Sequence, residues 1–385
     1  MFRKMPFILL ALILALGAVH SWIPPNIQSI LYGFSLSIKS VIVFFLPCVI
    51  FGLLLKASIG FAKSASKTIL TIFIAILISN FLSTMISFVV GKFTYQFDLA
   101  MPFPQEGTGL QPAFVFLLPK WIGNDITMAA ALLLGILLGR LKPNWAPQIL
   151  VWVDRITGVL LKGLLYVIPL FLTGFFIKMY HDQVVGSIIE NYSLVFGIIA
   201  FFVFGYITFI YFIASRNAGI SFLESIKNML PAMIAGFGSM SSAAAMPLTI
   251  LGTEKNSNSP ALARSIIPAT VNVHLIGDCF AIPTFAFAVL KSFGLSDPTF
   301  FTYLIFAAFF VLAKFSVAAV PGGGILVMLP ILEAHLGFDP TMLSLITALY
   351  ILFDPIITAA NVLGNGGFAM HLTHFLEKKK LITTT

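Results

Sequence analysis

The sequence predicts an all-α integral membrane protein of about eight crossings, and three observations carry that reading. Of 385 residues, 59% are hydrophobic and 9% are charged, against roughly 45–50% and about 25% in soluble domains. So little charge cannot cover a water-facing surface. Apolar runs recur at 6–23, 28–55, 68–91, 128–139, 157–180, 192–215, 262–290, 299–320 and 341–363. A helical crossing needs ~20 such residues, and the runs are too long and too little alternating for a β-barrel. Beyond about residue 217, small, polar, Gly and Pro residues enter the apolar segments. In lipid such backbone is tolerated only where it is buried in protein or lines a cavity.

The first run follows Arg3 and Lys4 and reaches Trp22. It shares features with a secretory signal, but it approaches spanning length and precedes a membrane-embedded chain, so it reads as a first crossing. The runs up to 216 read as ordinary spanning helices, with polar loops expected at 96–112 and 181–191. Three stretches then break the pattern: 236–247, 320–324 and 361–367. The first two are flanked by apolar arms of about 12–20 residues, which suggests re-entrant hairpins rather than full crossings. Two interrupted segments of this kind point to a binding site near the bilayer midplane.

The formal net charge of +8 is not a nucleic-acid footprint, because its distribution over the loops has another cause. Taken alternately from the N-terminus, one set of loops holds Arg3, Lys4, Lys56, Lys63, Lys67, Arg140, Lys142, Arg155, Lys162, Arg216, Lys227 and Lys378 to Lys380. The other set holds Asp98, Glu106, Asp182 and Glu190 with few cations. By the positive-inside rule both termini are expected in the cytoplasm, in a cell inner membrane, with an even number of crossings. Cys48 and Cys279 both lie in apolar segments, which excludes a disulfide framework or a cysteine metal site. No spacing among Glu333, His335, His371 and His374 suggests a metal, and no cofactor is implied.

At this point the residues resemble a known family, the dicarboxylate/amino acid:cation symporters with the glutamate-transporter-like fold. Ser241, Ser242 and the run to Pro247 resemble its serine-rich first hairpin tip, 319–324 its second, and Asp354, Asn361 and Gly364 its last helix. Weaker similarity covers nearly the whole chain, including 42–51 and 166–175. The resemblance implies eight transmembrane helices plus two re-entrant helical hairpins in an elevator-type homotrimer. It places scaffold helices in 1–65 and 96–185, a third helix of the transport domain in 66–95, and the rest of that domain in 186–385. Within the latter it implies hairpin 1 at about 222–252, helix 7 at about 262–293, hairpin 2 at about 299–335 and helix 8 at about 340–376.

The resemblance also implies a site. Asp354 is positioned for a substrate ammonium, and Ser242 and Asn361 for an α-carboxylate. Ser241, Thr358 and the tip residues Val320, Pro321 and Gly322 line it, with Ile357 facing the side chain. The departures from the family say more. Its arginine three residues after the aspartate, which grips acidic side chains by a bidentate contact, is here Ile357. Its aspartate four residues after the asparagine is Asn365. In helix 7, a gapless alignment lays 274–278 over the Asn-Met-Asp-Gly-Thr motif, with Ile276 at the aspartate. A gapped one matches Asn272 to the Asn and His274 to the Asp. Both remove the carboxylate. On the third helix the matching Tyr and Thr are Ala75 and Ile78, with Ser79 kept. Sodium, a hard cation, wants several oxygen ligands.

Ionisable groups stand in their place. His274 and Asp278 are four apart, on one face if the segment is helical, and a buried His–carboxylate pair can exchange a proton near physiological pH. Lys314 lies seven residues before Pro321, where a tethered ammonium can take the place of a family sodium. Two plainer readings stay open: Asp278 simply neutralises Lys314, and His274 is a satisfied core histidine. The expected function is secondary active symport of a small amino acid or related organic solute, coupled to H+ rather than Na+, and neutral or basic according to the role of Asp278. The alternatives are the wider family's sodium-coupled dicarboxylate or acidic amino acid symport, a passive channel, and an intramembrane aspartyl protease built on Asp278 and Asp354.

Overall fold

The computed structural model describes residues 11–12, 15–63, 67–97, 109–119, 121–141, 146–315, 317 and 323–378, and among these every regular element is helical. A first helix, α1, is described over 11–12 and 15–19 and runs into a 3-10 turn at His20–Trp22. Then follow α2 (Pro25–Lys63), α3 (Lys67–Thr94), α4 (Asn124–Leu141), α5 (Ala146–His181) and α6 (Val184–Ala218). The C-terminal half contains α7 (Phe222–Ser239), α8 (Ser242–Lys255), α9 (Pro260–Thr270), α10 (Ile276–Ser292), α11 (Phe300–Lys314), α12 (Gly323–Leu336) and α13 (Pro340–Lys378). Spans within α3, α6 and α13 are long and apolar enough to cross a membrane. Val89, Leu133 and Phe201 are 67%, 70% and 75% exposed, and such bare apolar side chains call for lipid or a protein partner rather than water around them.

The helices pack in two groups. One consists of α2 against α4 and α5. In the other, α10 and α13 lie side by side at the centre, with α3, α6, α7, α8 and the α11–α12 pair around them. Nearly every residue of α10 is buried, which is why its sequence is apolar on all faces.

The two helix pairs differ in their turns. Between α7 and α8 the chain reverses at Met240, whose φ is 47°, and the Ser241 hydroxyl then caps α8 by accepting the Ala244 N–H at 3.3 Å. The connection from α11 to α12 includes Val320, Pro321 and Gly322, which lie outside the described residues.

One expected loop is corrected. The polar stretch 181–191 is not a loop: the chain turns at Asp182 and Gln183, and α6 starts at Val184. Ser187, Glu190 and Asn191 are polar but compatible with a helix, so their polarity does not mark a break. Asp182 secures the turn by accepting the Leu110 N–H at 2.8 Å and by pairing with Lys178.

A second correction concerns the face shared by His274 and Asp278. The helix is interrupted at 271–275 between α9 and α10, so His274 precedes the helix that carries Asp278, and the four-residue spacing does not place them together. Asn80 of α3 holds the interruption open. Its Nδ2 donates to the Val273 carbonyl at 2.7 Å and its Oδ1 accepts the Leu275 N–H at 3.2 Å. These two bonds supply what the broken helix cannot give its own backbone in an apolar interior.

Candidate functional site

A polar stripe on α13 organises the centre of the molecule. Tyr350, Asp354, Thr358, Asn361 and Asn365 recur at helical spacing, and each of the five is buried. Thr358 donates to Asp354 Oδ1 at 3.0 Å. Asn361 Oδ1 accepts the Gly277 N–H at 2.8 Å. Asn365 Nδ2 donates to the His274 carbonyl at 3.1 Å and to the Asn361 carbonyl at 2.9 Å. The stripe therefore clamps the helix interruption and the first turn of α10. The close approach depends on Gly277, where a Cβ would lie 2.3 Å from the Ile357 carbonyl oxygen. Pro355 also has no N–H to offer the Ile351 carbonyl, so the helix is locally under-bonded beside Asp354.

Asp278 is fully engaged. Lys314 Nζ donates to its Oδ2 at 3.0 Å and the Tyr350 hydroxyl to its Oδ1 at 2.9 Å, with the two charged side chains 0% and 2% exposed. The ammonium also lies 4.6 Å from the centre of the Phe310 ring. Gly324, in the first turn of α12, packs so closely that a Cβ there would be 2.8 Å from Asp278 Oδ2 and 2.4 Å from the Tyr350 oxygen. One carboxylate thus joins α10, α11, α12 and α13. Helix amino termini favour anions, and the carboxylate is in the first turn of α10 and against that of α12. The plain reading of Asp278, a charge partner for Lys314, matches this arrangement.

His274 has different neighbours. Its Nε2 is 2.8 Å from the Ser79 hydroxyl, and its ring stacks on Phe368 with centroids 4.1 Å apart. Its Nδ1 and the Oδ1 of Asn365 are both buried, and the two side chains interact.

Of the other residues read from the sequence, Ser241 caps α8 at the turn after α7, Ser242 is 5% exposed in the first turn of α8, and Ile357 is 1% exposed on α13. The α7 end of that turn packs on the α13 stripe, since a Cβ on Gly236 would meet Val362 at 2.8 Å and the Thr358 carbonyl at 3.4 Å. Two residues escaped sequence reasoning. Tyr350 and Asn80 each place a polar group in an otherwise apolar run, which is the available signal.

A family model described as the sodium:dicarboxylate symporter family matches residues 5–375. No curated protein matches the chain. The family comprises secondary active symporters of dicarboxylates and amino acids without catalytic activity, which sets aside the protease reading of Asp278 and Asp354. The match takes in both helix pairs, the interrupted helix and the α13 stripe, so the chain belongs to the sodium:dicarboxylate symporter family and is a multi-pass membrane symporter.

Proposed function

We propose that the protein is an elevator-type symporter that couples a small neutral or basic amino acid to a proton rather than to sodium. In this reading eight helices cross the membrane and two hairpins, α7–α8 and α11–α12, re-enter it, with both termini in the cytoplasm. Scaffold segments 1–65 and 96–185 form the wall of a homotrimer, and 66–95 with 186–385 form the moving body. The separate packing of α2 with α4 and α5 supports that division. Ser242 and Asn361 receive the substrate α-carboxylate, Asp354 its ammonium, and Ile357 faces its side chain, with Ser241, Thr358 and the Val320, Pro321 and Gly322 tip closing the site.

The observation that carries the substrate reading is the absence of a spare cation. Among the described residues the only buried Lys or Arg is Lys314, and Asp278 already holds it. A second substrate carboxylate would enter an apolar interior unpaired, at high cost. For the coupling ion, Asp278 uses both oxygens and Asn361 gives its own to Gly277. No cluster of three His, Cys, Asp or Glu groups exists among the described residues. His274, set between Ser79 and Asn365 at the helix interruption, is a side chain that can take up and release a proton, which favours a proton as the coupling cation.

The test is thermal stability of the purified protein across amino acids and organic acids, at several pH values, with and without sodium. A ligand at a hundredfold its Kd stabilises the folded form by ~2.7 kcal/mol. The expected result is sodium-independent, pH-dependent stabilisation by a neutral or basic amino acid. Sodium-dependent stabilisation by aspartate or succinate would refute both halves of the proposal.

A further inference from the structure

A neutral imidazole has one hydrogen to place on two nitrogens, and the nitrogen without it accepts. Which nitrogen carries the hydrogen is set by what each one faces. At His274 the two sides differ in what they can do. Nε2 is 2.8 Å from the Ser79 hydroxyl of α3, a group that can donate or accept. On the other side the ring interacts with the side chain of Asn365 of α13, and the backbone fixes the orientation of that amide. Asn365 Nδ2 donates to the His274 carbonyl at 3.1 Å and to the Asn361 carbonyl at 2.9 Å. Both of its N–H groups are therefore used, and a flipped amide would set its oxygen against two carbonyl oxygens. What remains for Nδ1 is Oδ1, which only accepts, and both atoms are buried. Stacking on Phe368, with centroids 4.1 Å apart, holds the ring between these two partners.

We propose that Asn365 and Ser79 are positioning residues for the coupling proton: Asn365 pins one hydrogen on Nδ1, and Nε2, facing Ser79, is the nitrogen that takes up and releases the proton. The proposal rests on the proton-coupled reading above and assigns that proton to one atom. While Nε2 has no hydrogen, Ser79 donates to it. When a proton from water binds Nε2, the new N–H donates to Ser79 Oγ, and the serine hydrogen turns to the carbonyl of Ala75, one turn back in its own helix. Only the Nε2–H bond is made, and it breaks again when the proton returns to water. The ring stays where it is, and α3 is the element that registers the change. The amide at Asn365 also keeps the proton releasable, because a carboxylate beside Nδ1–H would hold the imidazolium.

The elements around His274 contribute other titratable groups, each with its own neighbours. Between Lys67 and Lys92, α3 has none. On α10, Asp278 is bonded to Lys314 of α11 and Tyr350 of α13, and Cys279 is buried beside it. On α13, Asp354 accepts the Thr358 hydroxyl and His371 is 3.0 Å from the Ile210 carbonyl. From α6, Tyr206 lies against Phe280 and Tyr211 donates to the Leu363 carbonyl, and Tyr303 of α11 donates to the Thr84 carbonyl.

The test combines a spectrum and a pH profile. In the purified full-length protein with isotope-labelled histidine, nitrogen NMR at alkaline pH reports which ring nitrogen has the hydrogen, and His274→Gln identifies the signal by its loss. Hydrogen on Nδ1 is expected. Hydrogen on Nε2, or shared between the two, overturns the proposal. In liposomes the wild type should accumulate labelled leucine or lysine up to about tenfold further for each pH unit of gradient, acid outside. Ser79→Ala leaves protonated Nε2 without its acceptor and should lower the midpoint of the uptake–pH profile by about one unit. Asn365→Asp places an anion beside Nδ1–H and should raise that midpoint by about 1–3 units. Midpoints that stay at the wild-type value, or move in the opposite directions, overturn the proposal. A wild type that ignores the pH gradient, requires sodium or takes up neither probe overturns the underlying reading instead, and the spectrum then still decides the tautomer.

Discussion

Replacing Lys314 with Met keeps most of the side chain's apolar stem and removes the ammonium, leaving Asp278 charged in a site where the pair is 0% and 2% exposed. With Nζ and Oδ2 3.0 Å apart, an effective dielectric constant of about 20 gives an attraction of ~5 kcal/mol. That agrees with the ~3–5 kcal/mol typically lost when one member of a buried pair is removed. Asp278→Asn, which strands the ammonium instead, should cost a similar amount. The double variant removes both charges, and because neutral replacements of buried pairs are often tolerated, it should fall within ~2 kcal/mol of wild type. The coupling energy is then at least ~4 kcal/mol, well above that of independent sites. Equilibrium unfolding of the reconstituted wild type, both single variants and the double variant measures it. If Lys314→Met stays within ~0.5 kcal/mol of wild type, or if the two single costs simply add, the ion pair does not hold these helices.

The other expectations can be checked one by one. His274→Gln keeps a buried polar side chain but cannot carry a proton, so the roughly tenfold gain in neutral amino acid accumulation per pH unit should vanish in liposome uptake; an unchanged gain would move the coupling site elsewhere. Gly277→Ala puts a methyl 2.3 Å from the Ile357 carbonyl, and the resulting overpacking should cost ~1–3 kcal/mol and weaken substrate binding, as read by ligand-induced thermal shifts. Asn80→Ala removes both bonds across the helix interruption. With about 1–3 kcal/mol lost for each stranded backbone group, hydrogen exchange at Leu275 should rise sharply, and unaltered exchange would show that another group holds the break. Asp354→Asn removes the carboxylate assigned to the substrate ammonium. A charge-assisted bond is worth about 1.5–3 kcal/mol, so affinity in the thermal-shift titration should fall by about tenfold or more.

Much of the fold was legible in local sequence. Long apolar runs with few charges leave a membrane as the only tolerable solvent, and Gly, Pro and Ser inside them mark where backbone leaves the helix. The turn at Met240 and Ser241 falls inside one of the stretches so marked. The loop at 181–191 failed because polarity was used as a proxy for a break, whereas Glu190 is simply an exposed residue of α6. The shared face of His274 and Asp278 failed because the spacing argument needs an unbroken helix, and the interruption ends only at Leu275.

By itself, the sequence determined that this chain lives in a bilayer, that its C-terminal half contains the irregular backbone, and that it keeps Asp354 and Asn361 without a guanidinium at Ile357. Those properties are carried by residue types and their order, so they need no partner to be read. Only the tertiary structure decided which buried groups meet: Lys314 with Asp278 across 36 positions, Tyr350 with Asp278 across 72, and Asn80 with Val273 across 193. The physical reason is that an apolar interior sets the cost of a polar group by what stands within ~3 Å of it. Distance along the chain says almost nothing about that.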